Sequence, residues 1–287
     1  MLLGIDVSWW QGEMDWYKAV SSGAKFAYIR AGSCQSADGV CYTDHQFERN
    51  AAIAANYLPI GFYWYFRPNW SPPTQAQYFV GLIGLKKWSL PPVIDVECGG
   101  ADADGGCNPE QIKGAIKIFL YQIYHYLDAD CVIYTRGEWW NRCVADDEAW
   151  SDLALWVARY TTLPQPWGNP DDKECLKPRN WSAWTIWQYS ADGNGRGKEF
   201  GAESESIDLD WYFGDEKQFE YWAGCKIPAM VKIKAAATAL AAAPASAGQN
   251  PATIGTTWRG RSFEALDCSK DGEWIKVGAW IKKSTLF

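Results

Sequence analysis

Residues 91–97 read Pro91-Pro92-Val93-Ile94-Asp95-Val96-Glu97. An apolar, β-branched run opened by prolines and lacking surface periodicity is the pattern of a strand buried on both faces, as in a parallel sheet. Two acids close it. Strand side chains alternate, so Asp95 and Glu97 point to the same side, with Cα atoms about 6.6 Å apart from two rises of ~3.3 Å. Seven further short runs of the same kind lie at Leu3–Val7, Lys25–Ala31, Ile60–Phe66, Cys131–Thr135, Ala154–Tyr160, Thr185–Tyr189 and Ser206–Trp211. Helical patterns separate the early ones, at Asp15–Ser22, Asp44–Asn56, Thr74–Lys87 and Pro109–Leu127, with Pro109 at a position that a first helical turn tolerates.

Strand alternating with helix predicts an α/β fold with a parallel sheet, and eight strands predict a closed (β/α)-barrel. The segments 161–182 and 191–205 are rich in Gly, Pro and Asp without helical period. The barrel is therefore expected to hold few helices in its last third. The expected organisation is a (β/α)-barrel over 1–214, a connector over 215–227, and a small all-β barrel over 228–287. The last rests on short strand patterns punctuated by Gly255, Gly260, Gly272 and Gly278, although Ala235–Ala247 by itself reads as a flexible linker.

Of the 287 residues 48% are hydrophobic and 21% charged, a globular composition. The 19 Trp exceed what a core of this size needs, and flat apolar rings with a polar edge are what sugar binding uses. A net charge of −7 excludes nucleic acid as a partner, because phosphates demand a basic footprint. No stretch approaches the ~20 apolar residues of a membrane span, so no membrane insertion is expected. The N-terminus has no signal-peptide pattern and reads as a first strand. Nine Cys include three close pairs, Cys34 with Cys41, Cys98 with Cys107 and Cys131 with Cys143, for which local disulfides are expected. With two His and no C-x-x-C spacing, neither a metal site nor any other cofactor is expected.

In a parallel barrel the carboxyl ends of the strands form one mouth. Asp6, Asp95, Glu97 and Asp208 fall there, with Asp210 able to exchange roles with Asp208. A lone strand-end Asp is more often a cap or a turn former; four acids on three strands are harder to explain that way. Crowded, partly dry carboxyls raise at least one pKa, which keeps an acid protonated to serve a leaving oxygen, as glycoside hydrolysis requires.

The chain resembles the glycoside hydrolase family 25 muramidases over about residues 2–214. The resemblance is carried by Gly4-Ile5-Asp6-Val7-Ser8, Phe26-Ala27-Tyr28-Ile29-Arg30-Ala31, Leu58-Pro59-Ile60-Gly61-Phe62-Tyr63, Pro92-Val93-Ile94-Asp95-Val96-Glu97, Leu155-Trp156-Val157-Ala158-Arg159-Tyr160, Trp187-Gln188-Tyr189-Ser190 and Ile207-Asp208-Leu209-Asp210. It implies Glu97 as general acid and Asp95 as a group that attacks directly or steers the 2-acetamido group. Asp6 and Asp208 would tune charge and hold the sugar. It also implies a substrate mouth lined by Tyr63, Tyr65, Tyr134, Trp156, Trp187 and Gln188, with Trp10, and further Trp9, Trp64 and Trp70, as stacking platforms.

The insert opened by Cys98 departs from the family pattern and reads as a surface excursion or a loop reshaping the cleft. The tail resembles bacterial Src-homology-3-like wall-binding modules through Val231-Lys232-Ile233, Gly272-Glu273-Trp274-Ile275-Lys276-Val277 and Ala279-Trp280-Ile281, but has Ala242-Ala243-Pro244-Ala245 where an Arg-Ser-Gly-Pro turn is usual. The implied partners are peptidoglycan glycan strands and, through the tail, the bacterial cell wall. The implied setting is an endolysin-like phage or prophage enzyme made in the cytoplasm and acting on the wall after release. A silent wall-binding barrel and a chitinase-type hydrolase are the alternatives; the second would need an acid at Val93.

Overall fold

The computed structural model describes residues 1–35, 38–97, 106–160 and 177–225, and beyond these the backbone of seven strands between 230 and 282. The chain divides into two compact units, Met1–Phe219 and Glu220–Phe287.

In the first unit the strands are β1 (Leu2–Val7), β2 (Phe26–Cys34), β3 (Cys41–Thr43), β4 (Ile60–Tyr65), β5 (Val93–Asp95), β6 (Val132–Thr135), β7 (Leu155–Ala158), β8 (Ile186–Ser190) and β9 (Asp208–Tyr212). Neighbours run in the order β1-β9-β8-β7-β6-β5-β4-β2, and pairing of β1 with β2 closes the ring into an eight-stranded barrel. The helices are α1 (Trp16–Ser21), α2 (Phe47–Ala54), α3 (Pro72–Ile83), α4 (Pro109–Leu127) and α5 (Gly137–Cys143), with α6 (Glu216–Cys225) beginning in this unit and ending in the next. Among the described residues between β8 and β9 there is one short helical turn, Gly193–Gly195.

All eight expected barrel strands form, but the sheet is not wholly parallel. β9 runs antiparallel to both β1 and β8. The segment from Ser190 to Asp208 returns along the mouth without a crossover helix, and a connection of that kind delivers an antiparallel neighbour. Asp208 therefore opens its strand instead of closing it, yet reaches the same mouth. Three elements escaped the sequence reading: β3, which forms a hairpin with β2; α5; and α6, in the stretch expected to be a connector.

Alternation sorts the strand residues into two layers. Ile5, Val7, Ile29, Phe62, Ile94, Ile133, Val157 and Leu209 point outward into one buried cluster with Phe47, Phe79, Ile116 and Phe119 of the helices. The alternate residues fill the barrel. Phe26, Tyr212 and Phe219 meet at its base with ring centroids 5.1–5.3 Å apart, and Trp156 packs at 4.9 Å from both Tyr28 and Tyr134. These rings need glycines opposite them: a Cβ on Gly4 would lie 2.2 Å from the Phe26 ring, and one on Gly61 2.3 Å from that of Tyr28. A capping box starts α4, with Asn108 and Gln111 exchanging side-chain hydrogen bonds with each other's backbone N–H.

A Cys34–Cys41 disulfide ties β2 to β3. The expected Cys131–Cys143 bridge does not form. Cys131 lies buried just before β6, Cys143 ends α5, and both are free thiols. Cys98 and most of its insert lie outside the described residues.

In the second unit, two antiparallel sheets pair β10 (Met230–Lys232) with β13 (Ser262–Glu264), and β12 (Thr253–Trp258), β11 (Ala237–Ala241), β16 (Trp280–Lys282), β15 (Trp274–Lys276) and β14 (Asp267–Cys268) in that order. The Ala-rich stretch read as a linker thus contains a strand, β11, paired with both β12 and β16. The turn at 242–245 lies outside the described residues. Among the described residues no helix is long and apolar enough to cross a membrane.

Candidate active site

At the barrel mouth a cavity of about 210 Å³ is lined by Asp6, Ser8, Trp10, Arg30, Tyr63, Tyr65, Asp95, Glu97, Tyr134, Trp156, Tyr160, Gln188 and Asp208. The four acids singled out from the sequence therefore share one chamber. Asp6 projects from β1 and stands opposite Asp208 in the β1–β9 ladder. Asp95 ends β5, in register with Tyr65 on one side and Tyr134 on the other, and Glu97 follows two residues on. Tyr63, Tyr65, Tyr134, Trp156, Gln188 and Trp10 line the same space.

Trp187 does not. It neighbours Gln188 on β8, so alternation turns it to the outer face, where its Nε1–H donates to the Arg159 carbonyl at 2.8 Å and its ring meets Trp184 and Tyr189. Trp64 is likewise fully buried on the outer face, against Tyr78 and Phe79 of α3, with its Nε1–H on Gln75. Neither is a platform for a sugar. Trp70 packs against the core cluster beneath Gly39.

Trp9 and Trp10 remain at the rim, 41% and 65% exposed, with stacked rings 3.8 Å apart. Their turn is held from two sides. Ser8 N–H donates to Gln11 Oε1 at 2.8 Å while Ser8 Oγ caps Trp10 N–H; Asp44 Oδ2 accepts from Trp9 N–H at 3.1 Å and from Arg30 Nε at 2.7 Å.

A hydrogen-bond network runs beneath the acids. Tyr134 and Tyr160 donate their hydroxyls to Gln188 Oε1 at 2.7 and 3.2 Å, and Gln188 Nε2 donates to Asp6 Oδ2 at 2.7 Å. Deeper, Trp156 Nε1–H donates to Asp210 Oδ1 at 2.9 Å. Asp95 Oδ1 has no hydrogen-bond partner among the described residues.

Electrostatics follow from burial. Desolvation raises Glu97, opposed by the Arg136 guanidinium, whose Nε lies 3.3 Å from Glu97 Oε2. Asp95 is pushed well above the usual carboxylate range by burial and then by the charges of Glu97 and Asp6. Burial lifts Asp6 to about 7, and raises Asp208 well up, reinforced by Asp6 and Glu97. Such a chamber keeps carboxyls protonated near neutral pH, the condition for a general acid. Among the described residues no group of three or more His, Cys, Asp or Glu is placed to hold a metal ion.

Arg136, Arg30 and Tyr160 were not singled out from the sequence as site residues. Arg136 directly follows β6 and Tyr160 closes the strand pattern Ala154–Tyr160, so the strand-end rule that selected the acids also points to them. Arg136 lies over the Tyr160 ring, 5.5 Å from its centroid.

Residues 5–198 match the family described as Glycosyl hydrolases family 25. Lysozyme M1 of Streptomyces globisporus is 36% identical over 202 residues, covering 66% of this chain and 62% of that protein, and the N,O-diacetylmuramidase of Chalaropsis sp is 28% identical over 200 residues, covering 65% and 87%. The chain thus spans less than two thirds of the Streptomyces globisporus protein. The crystal structure of the bacterial lysozyme from Streptomyces coelicolor superposes with a TM-score of 0.63 at 30% identity, over 78% of this chain and 98% of that one.

Proposed function

The chain belongs to the glycosyl hydrolases of family 25, and on that premise we propose that it is a muramidase, cutting the β-1,4 bond between N-acetylmuramic acid and N-acetylglucosamine in peptidoglycan. The observation that carries the reading is the pairing of Glu97 with the more deeply buried Asp95 in one chamber with Asp6 and Asp208. Glu97, raised by burial, delivers its proton to the glycosidic oxygen as the bond breaks. Positive charge then grows at the anomeric carbon. Asp95, with Oδ1 unpartnered among the described residues, accepts the N–H of the 2-acetamido group and steers its carbonyl oxygen toward that carbon, a retaining course. Asp6 adds negative potential where the cation develops, Asp208 offers a hydrogen-bonding group to the sugar, and Trp10 offers a ring to a neighbouring one.

The reading extends to a C-terminal module that holds the enzyme on the wall and so raises local substrate concentration. It is supported by the tail's sequence resemblance. The coupling of a wall-cutting barrel to a wall-holding tail is also the basis for proposing an endolysin-type enzyme of phage or prophage origin.

The test is digestion of purified peptidoglycan followed by borohydride reduction and mass spectrometry. New ends carrying reduced N-acetylmuramic acid are expected from the parent and none from Glu97→Gln. New N-acetylglucosamine ends, preferential cutting of chitin, or full activity in Glu97→Gln would overturn the reading.

A further inference from the structure

Asp210 is fully buried, and the mechanism above gives it no part. It lies on β9 two residues beyond Asp208, in register with Gln188 of β8 and Gly4 of β1. Its Oδ1 accepts the Trp156 Nε1–H at 2.9 Å, its Oδ2 is buried with no donor among the described residues, and Asp6, diagonal to it across the β1–β9 ladder, is the acid whose charge bears on it most. Ionised carboxylates only accept hydrogen bonds, so a bond between two carboxyls needs a proton on one of them.

The surroundings decide which one. Asp6 has a donor of its own in Gln188 Nε2 at 2.7 Å, and the Oε1 of the same amide accepts from Tyr134 and Tyr160. Asp210 has the Trp156 N–H on Oδ1 and no N–H or O–H donor for Oδ2 among the described residues. Asp210 is the poorer place for a negative charge. The titratable and charged groups felt there are Asp6 from β1, Asp208 from its own strand, Tyr28 from β2 and Tyr189 from β8. Asp6 also feels Glu97, Tyr63 of β4 and Asp95 of β5.

We propose that Asp6 and Asp210 share a single proton carried on Asp210, making Asp210 a positioning residue that holds Asp6 singly charged and aimed at the mouth. Burial pushes Asp210 well above the usual carboxylate range and Asp6 to about 7, in keeping with one negative charge on the pair at working pH. Like charges this close cannot both ionise cheaply in a dry site. The shared proton removes one negative charge from an acid-rich chamber.

The proposal rests on the muramidase reading only where turnover is measured. Its first test needs no substrate: infrared difference spectra of the full chain, parent against Asp210→Asn, near neutral pH. A C=O stretch of a protonated carboxylic acid should be present in the parent and missing from the variant; identical spectra in that region would overturn the assignment whatever glycan the enzyme cuts. The second test is turnover. The parent's kcat profile should show, beside the break of the general acid, a further alkaline break as the pair loses its shared proton; Asp210→Asn still donates to Asp6 but cannot titrate, so this break should be absent from it. Asp210→Leu, which removes the donor, should lower kcat by roughly 30-fold or more with KM within about twofold, circular dichroism confirming that it folds. A profile for Asp210→Asn that superimposes on the parent's sinks the proposal, as does an Asp210→Leu enzyme as fast as Asp210→Asn. Should Asp210→Leu not fold, the two Asp210→Asn measurements decide the matter alone.

Discussion

Asp6 and Asp208 stand directly opposite one another across the antiparallel β1–β9 ladder. Opposed like charges destabilise a sheet, and here both are buried as well. The arrangement costs stability in a pH-dependent way.

Asp6 makes that cost measurable. Its folded-state value is raised from 3.8 to about 7, so the folded protein holds this proton more tightly than the unfolded chain. Stability from this group is fully present below about pH 4 and declines as pH rises toward 7. Asp6→Asn should therefore raise Tm at pH 8 by several degrees, at ~2–4 °C per kcal/mol for a domain of this size, and change it little at pH 4. Thermal unfolding followed by circular dichroism checks this. An equal gain at both pH values would mean that the carboxyl's ionisation is not the cause.

Arg136 restrains Glu97. Its guanidinium favours the carboxylate form, so Arg136→Ala should let the acid's pKa climb further and move the alkaline limb of kcat/KM to higher pH. Because the guanidinium is half exposed, solvent screening keeps the shift below about one pH unit. A limb that stays in place or moves down would remove Arg136 from the account of the acid.

Trp10 is predicted to act on binding alone. It is 65% exposed at the rim, and the acids do not rest on it. Trp10→Ala should raise KM on soluble glycan fragments by roughly fivefold, for about 1 kcal/mol of lost stacking, with kcat nearly constant. A fall in kcat at unchanged KM would place the ring in the chemistry instead.

Trp140 tests the packing that carries the mouth. It is 1% exposed, its ring lies 5.3 Å from Trp150 and 5.1 Å from Trp181, and its Nε1–H reaches Asn180. Trp140→Ala should cost about 3–5 kcal/mol in urea unfolding. A loss under 1 kcal/mol would show that the cluster repacks freely.

The strands were legible because a barrel strand is apolar on both faces and leaves a run such as Val93-Ile94 between breakers. The position of Asp95 and Glu97 at a common mouth followed from the same run. Strand direction was not legible. Asp208–Tyr212 has the same alternation whichever way it runs, and only the missing crossover helix before it hinted at reversal. Trp187 was misplaced because a motif names neighbours without saying which of two adjacent residues faces inward, and Gln188 takes the inner side. Trp64 next to Tyr63 is the same case. The free state of Cys131 and Cys143 could not be read from spacing, since one sits by a barrel strand and the other at the far end of α5. β3 is three residues long and, among the described residues, paired only to β2, too short for a periodic signal.

The antiparallel β9 also fixes when the acid-lined chamber can exist. Asp6 meets Asp208, and Asp210 meets Gly4, at a seam between segments roughly two hundred residues apart in the chain. Such a contact is among the last that a folding polypeptide makes, because the entropy of joining distant ends is recovered only when everything between them has settled. A growing or truncated chain lacking β9 holds Asp95 and Glu97 but not the wall opposite them. The chamber that gathers the four acids therefore arrives in one step, with ring closure, rather than accumulating as the chain folds.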